Sequence, residues 1–106
     1  MTKFDKIRNL HNFFLKKFKP RKKVILMFKK MVNHGGYKYT NGKHYISLNK
    51  KDNLDTLCET YGHEYAHSLD RAKWNAEHHS DHWGYCYARA YRIYLKWAET
   101  FCSRNS

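Results

Sequence analysis

Two histidines one helical turn apart, His63 and His67, stand on either side of Glu64 in the stretch YGHEYAHSLD at residues 61–70. If the stretch is helical, residues four apart lie on one face, so both imidazoles can reach one ion. Zinc suits the pair because it accepts nitrogen ligands in tetrahedral geometry. Glu64 would then stand beside the ion, where a carboxylate can act as general base toward a water molecule. The spacing predicts a zinc site equipped for hydrolysis.

A catalytic zinc site needs a third protein ligand and an open fourth position. The candidates lie in the segment EHHSDHWGYCYARAY, residues 77–91. Position 79 is four residues before Trp83, on the side that a following helix would bury against its neighbour. The helical phase therefore favours His79 as the third ligand. His82 is the second choice and Glu77 the third.

Two other interpretations of the histidines stay open. The pattern also suits a non-enzymatic module in which zinc only joins two helices, and a fourth protein ligand such as His82, Asp81 or Cys86 would indicate that structural site. Alternatively, the helix carries two surface histidines and no metal. Asp70, one turn after His67, is placed either to accept a hydrogen bond from a ligand imidazole or to be solvated at the helix end.

The elements before this motif are predicted to be one helix and three strands. Apolar residues recur at helical spacing over residues 2–18, and Pro20 ends that helix. The run KKVILMFKKMV, residues 22–32, predicts a buried strand, with a short helix as the alternative. Asn41-Gly42 between two tyrosine-containing runs predicts a β-hairpin with a type I′ turn.

Two helices are predicted to follow the hairpin. Asp52 or Asn53 caps the first, which extends to about Leu69 or Lys73 and carries the HEYAH motif. The second covers roughly residues 80–102. The order helix, three strands, helix, helix predicts a single α+β domain over residues 1–106, with an antiparallel-type sheet.

The charge of the chain predicts polyanionic partners. Lysines and arginines number 21 against 9 acidic residues, for a formal net charge of +12. The densest basic stretch is either a solvated helix end or a surface for non-specific, electrostatic DNA binding, and it comprises Lys16, Lys17, Lys19, Arg21, Lys22 and Lys23. Phe18 and Phe28 lie among these charges and would suit base stacking, unless they are buried beside a solvated helix end.

The cysteines and the N-terminus indicate an intracellular protein. Cys58, Cys86 and Cys102 form no CxxC pair, which favours reduced core thiols over a disulfide framework. No signal-peptide core is present, and no run approaches the roughly 20 apolar residues of a membrane span. We expect a cytoplasmic monomer without membrane contact.

The pieces GGYKY, HYISLN, HEYAH and HSDHWG occur in an order that resembles the SprT-like (Spartan-type) zinc metallopeptidase domain, and more closely small phage and bacterial proteins of that kind. The resemblance covers roughly residues 24–95. It implies a minimal zincin-like fold with zinc held by His63, His67 and His79, and it makes Trp83 the aromatic residue of the last piece. Ser80 departs from the glycine usual in that piece.

The resemblance implies an enzyme, a zinc metallopeptidase with Glu64 as the catalytic base. Its substrates would be proteins or peptides, including proteins associated with nucleic acid, in a bacterial or phage-infected cell. The chain lacks the additional zinc-binding and partner-recruiting segments of the larger relatives. The peptidase chemistry therefore carries over better than any role in DNA–protein crosslink repair.

Overall fold

A computed structural model describes residues 1–74 and 81–105, and the side chains of residues 1–70 and 81–101. The chain forms an α+β fold, as predicted. Its elements in order are α1 (Lys3–Phe18), β1 (Val24–Lys29), β2 (Gly35–Thr40), β3 (Lys43–Asn49), α2 (Leu54–Trp74) and α3 (Asp81–Asn105). Among the described helices, none is long and apolar enough to cross a membrane.

The helix α1 begins at a capping box. Thr2 Oγ1 accepts a hydrogen bond from the backbone N–H of Asp5 at 3.1 Å, and the Asp5 carboxylate accepts one from the Thr2 N–H at 3.1 Å. The helix ends at Lys19, whose left-handed backbone (φ 44°) lets its N–H donate to the Leu15 carbonyl. Pro20 follows directly, so the predicted helix over residues 2–18 is confirmed.

The sheet is mixed and has the strand order β1-β3-β2. The hairpin prediction is confirmed, because β2 and β3 pair in antiparallel fashion and both turn residues, Asn41 (φ 51°) and Gly42 (φ 72°), have positive φ. The prediction of an antiparallel-type sheet was wrong for β1. That strand pairs in parallel with β3, in a register running from Val24 opposite His44 to Lys29 opposite Asn49.

The parallel pairing follows from a short loop, residues 30–34, that passes over the end of β3. Neighbouring strands lie about 4.8 Å apart, so the loop must cross roughly 10 Å, a distance that five residues can span. The buried Asn49 at the end of β3 holds it: Asn49 Nδ2 donates to the carbonyls of Met31 (2.9 Å) and Asn33 (3.0 Å), and the Asn49 N–H donates to that of His34 (2.9 Å). The chain therefore forms β2 at the far edge of the sheet first, and β3 then pairs between β1 and β2.

The core lies where the three helices meet each other and the sheet. The helix α2 packs against α3, the sheet and α1. One side of α2 supplies the aromatic centre of the core, where Phe14 of α1 makes edge contacts with Tyr61 and Tyr65 at centroid distances of 5.1 and 5.0 Å. Trp97 of α3 donates from Nε1 to Asn9 Oδ1 at 2.8 Å and joins α3 to α1.

A buried histidine links α1 to this centre. His11 Nδ1 lies 2.7 Å from the Tyr61 hydroxyl, and His11 Nε2 lies 3.2 Å from the Val24 carbonyl oxygen. Because a carbonyl can only accept, Nε2 carries the proton and Nδ1 accepts from the tyrosine. Burial lowers the pKa of His11, which keeps the ring neutral.

The helix α2 has its cap at the second of the two predicted positions. Asn53 Oδ1 accepts a hydrogen bond from the Thr56 N–H at 2.9 Å. The helix continues to Trp74, slightly beyond the predicted end. It therefore runs without interruption through the HEYAH motif.

Candidate metal centre

The HEYAH motif places three donor side chains together on α2. One ligand atom from each of His63, Glu64 and His67 lies within 4.8 Å of the others. Glu64 Oε1 is 3.9 Å from His67 Nε2, and the two imidazole centroids are 5.3 Å apart. These residues could hold a metal ion, because a spacing of four places both histidines on the same face of the helix.

The central carboxylate of this group is almost shielded from solvent. Glu64 is 6% exposed, and burial raises its pKa to about 7, because removing a carboxylate from water disfavours its charged form. A side chain that exchanges its proton near neutral pH is suited to general acid–base chemistry. A cation bound by the flanking histidines would favour the ionised form of Glu64.

The strand β2 holds the ring of one histidine in place. The rings of Tyr37 and His67 are stacked, with centroids 5.8 Å apart and 18° between their planes. The Tyr37 hydroxyl shares a hydrogen bond of 2.7 Å with His44 Nδ1 on β3. The hairpin tyrosine therefore orients a candidate metal ligand, a role the sequence did not single out among its nine tyrosines.

An open cleft of about 510 Å³ leads to His63 and Glu64. Its walls are residues 33–35 on the sheet side, Thr60 of α2, and Tyr87 of α3. Gly35 allows the sheet to approach this closely, since a Cβ there would lie 2.4 Å from Thr60 Cγ2 and 2.9 Å from the Ser47 carbonyl oxygen. The cleft gives a molecule from solvent access to the donor group.

Aromatic side chains of α3 pack against the candidate ligands. The Trp83 ring lies 4.9 Å from His63 and 5.5 Å from His67 between centroids. Tyr87 stacks on Trp83 at 5.2 Å and lines the cleft. Trp83 was expected near the site from the resemblance. Tyr87 was not singled out by the sequence, although its spacing of four from Trp83 was a signal for the site.

A second donor group lies between α2 and α3. His82 Nδ1 donates a hydrogen bond to Asp70 Oδ1 at 2.5 Å, and the Cys86 Sγ atom is 3.8 Å from the same nitrogen. Asp70 has no exposed surface, so the solvated aspartate, one of its two predicted alternatives, is excluded. The partner of Asp70 is His82, the second choice for the third zinc ligand.

The preferred third ligand, His79, and the third choice, Glu77, lie outside the described residues. Among the described residues, His82 and Cys86 group with Asp70 and do not join His63, Glu64 and His67. The fourth ligand that would indicate a closed structural site is therefore not supplied by either of them in the described part of the chain.

The basic stretch near the end of α1 is exposed. All six residues predicted to contact nucleic acid lie on the surface: Lys16, Lys17, Lys19, Arg21, Lys22 and Lys23. Phe18 and Phe28 instead pack against the core. Phe18 contacts Tyr65 at a centroid distance of 5.5 Å and Phe28 contacts Phe4 at 4.8 Å, which favours packing over base stacking as their role.

No protein-family model matches the chain, and neither a curated protein nor a solved structure matches it. The resemblance to SprT-like domains stays a prediction from the order of the sequence motifs.

Proposed function

We propose that this protein is a zinc-dependent metallopeptidase. The observation that carries the proposal is the placement of Glu64: the carboxylate lies in a group with two histidine ligand atoms, all within 4.8 Å, and it lines a cleft open to solvent. A purely structural site has no need of a buried, protonatable side chain facing an open cavity. Hydrolysis of a peptide bond uses a group that accepts and returns a proton, and it also uses a cavity that admits the substrate.

His63, His67 and the predicted third ligand His79 would hold the zinc ion. When bound, zinc polarises a scissile carbonyl and lowers the pKa of water at the site. Glu64 accepts the proton of the attacking water and returns it to the leaving amine. A cation held by the flanking histidines would favour the ionised form of Glu64, which is the form that accepts this proton.

The substrate of the proposed reaction is an extended protein segment that enters the cleft between residues 33–35 and Tyr87. The exposed basic stretch would hold the protein on nucleic acid, where basic proteins also collect. Proteins associated with nucleic acid are therefore the proposed substrate class.

The experiment that tests this proposal replaces Glu64 by glutamine. The amide keeps the shape of the carboxylate but cannot accept a proton, so cleavage of a flexible protein substrate should fall by about 10²–10⁴-fold. Zinc content should stay unchanged. Glu59→Gln is the matched control, because Glu59 lines the same cleft on the same helix and loses the same charge. Equal activity of Glu64→Gln and wild type, in an active preparation, would refute the mechanism.

The exposed basic stretch also supports a second candidate, a non-enzymatic nucleic-acid-binding protein with a structural zinc. Assays with and without single-stranded DNA separate the two. Wild-type protein that binds DNA in a strongly salt-dependent manner and cleaves no substrate under either condition would establish the second candidate.

A further inference from the structure

Three different donor side chains meet between α2 and α3 at the second group, Asp70, His82 and Cys86, which we call the Asp70 cluster. One ligand atom of each lies within 4.8 Å of the others. Asp70 comes from α2, whereas His82 and Cys86 lie one turn apart on α3. A carboxylate, an imidazole and a thiol from two helices are a donor set that zinc accepts.

The carboxylate of the Asp70 cluster is only partly satisfied by the protein. Asp70 is fully buried, and its Oδ2 atom has no hydrogen-bond partner among the described residues. A buried carboxylate oxygen without a partner is costly, because it has lost its hydration. A bound cation would offset that cost directly.

The distances in the cluster are near those of a tetrahedral zinc site. Bond lengths of about 2.0 Å to nitrogen or oxygen and about 2.3 Å to sulfur place neighbouring nitrogen and sulfur ligands about 3.6 Å apart, and nitrogen and oxygen about 3.3 Å apart. Cys86 Sγ lies 3.8 Å from His82 Nδ1. The pair of His82 Nδ1 and Asp70 Oδ1, at 2.5 Å, must open by about 0.8 Å to admit the ion.

We infer that the Asp70 cluster binds a second zinc ion that joins α2 to α3. The ion would take the place of the proton between His82 and Asp70, and Cys86 would bind as thiolate. Imidazole binds zinc in its neutral form, so the Nδ1 proton of a neutral His82 moves to Nε2, and binding releases the proton of the thiol. The thiolate favours zinc over magnesium or calcium, which prefer ligands that are all oxygen. This second site is separate from the proposed peptidase chemistry.

Cobalt provides a direct test because it occupies zinc sites and gives an intense near-ultraviolet charge-transfer band only when sulfur is a ligand. The full-length protein, freed of metal, is titrated with Co²⁺. The band should appear in the wild type and persist in His63→Ala, which disables the first donor group. It should vanish in Cys86→Ser. Cys58→Ser and Cys102→Ser are the matched controls and should retain it.

Asp70→Asn supplies an independent measurement. The amide is nearly isosteric, so the fold should persist by circular dichroism, while Co²⁺ affinity at the sulfur-ligated site should fall about tenfold or more, as when a metal site loses a supporting carboxylate. This variant decides the question if Cys86→Ser does not fold. No charge-transfer band in the wild type at saturating cobalt, or a band that survives Cys86→Ser, would show that Asp70 and His82 form a hydrogen-bonded pair only. Either result overturns the second site and leaves the Glu64 test of the peptidase unaffected.

Discussion

In the metal-free protein, the buried Glu64 should make folding stability depend on pH, and Glu64→Gln should remove that dependence. Burial raises the pKa of Glu64 from 4.5 to about 7 in the folded state. Each pKa unit corresponds to about 1.4 kcal/mol, so this shift corresponds to about 3 kcal/mol of stability at most. The side chain is 8% exposed, and solvent screening therefore reduces the effect little.

The sign follows from which state holds the proton. Between pH 4.5 and about 7 the folded protein keeps the Glu64 proton and the unfolded chain releases it. The contribution of the Glu64 proton to the free energy of unfolding is therefore fully present below pH 4.5, and it is lost as the pH rises through about 7. Glu64→Gln has no such proton. Its stability relative to wild type should therefore increase by up to about 3 kcal/mol from acidic to mildly alkaline pH.

Urea unfolding of both proteins in the presence of a chelator, from pH 5 to pH 8, measures this difference. Titrating groups distant from Glu64 are common to both proteins and largely cancel in the comparison. Glu59→Gln, exposed on the same helix, controls for the loss of one acidic charge. A constant difference between Glu64→Gln and wild type across this range would show that burial does not hold a proton on Glu64.

Two further predictions concern packing around the site. Gly35→Ala should destabilise the fold by about 1–3 kcal/mol in chemical denaturation, because the new Cβ would lie 2.4 Å from Thr60 Cγ2. In the control Gly36→Ala the new Cβ meets its nearest neighbour at 3.8 Å, so stability should change by less than about 1 kcal/mol. Equal losses of stability in the two variants would contradict the close approach of β2 to α2. His11→Phe should cost about 1–3 kcal/mol in the same assay by leaving the buried Tyr61 hydroxyl without its partner, and an unchanged midpoint would contradict that hydrogen bond.

The elements of the fold could be predicted because their signals are local. Asn41-Gly42 specifies a hairpin through the backbone angles that its turn requires, and Asn53 precedes a helix that it can cap. The partner of β1 could not be predicted in this way. Its parallel pairing depends on the loop over β3, which Asn49 holds through contacts with residues 16 and 18 positions earlier.

The same distinction applies to the site. His63, Glu64 and His67 were predicted because a single helix fixes their spacing. The contact of Asp70 with His82 depends on how α2 packs against α3, and the sequence indicated only that Asp70 would lie one turn after His67. Tyr37 reaches His67 across two elements, and tyrosine-rich strands alone do not reveal which ring makes that contact.

The loop held by Asn49 has a consequence for how the cleft receives a ligand. Asn33 and His34 form part of the cleft wall, and the backbone carbonyls of both accept hydrogen bonds from Asn49. This wall can move outward only if those bonds to the central strand break, so it should open together with the end of β3 and not as an independent loop. A peptide that binds there meets a surface already ordered before association. The protein side of the complex therefore loses little conformational entropy, and most of the ordering on binding falls on the peptide.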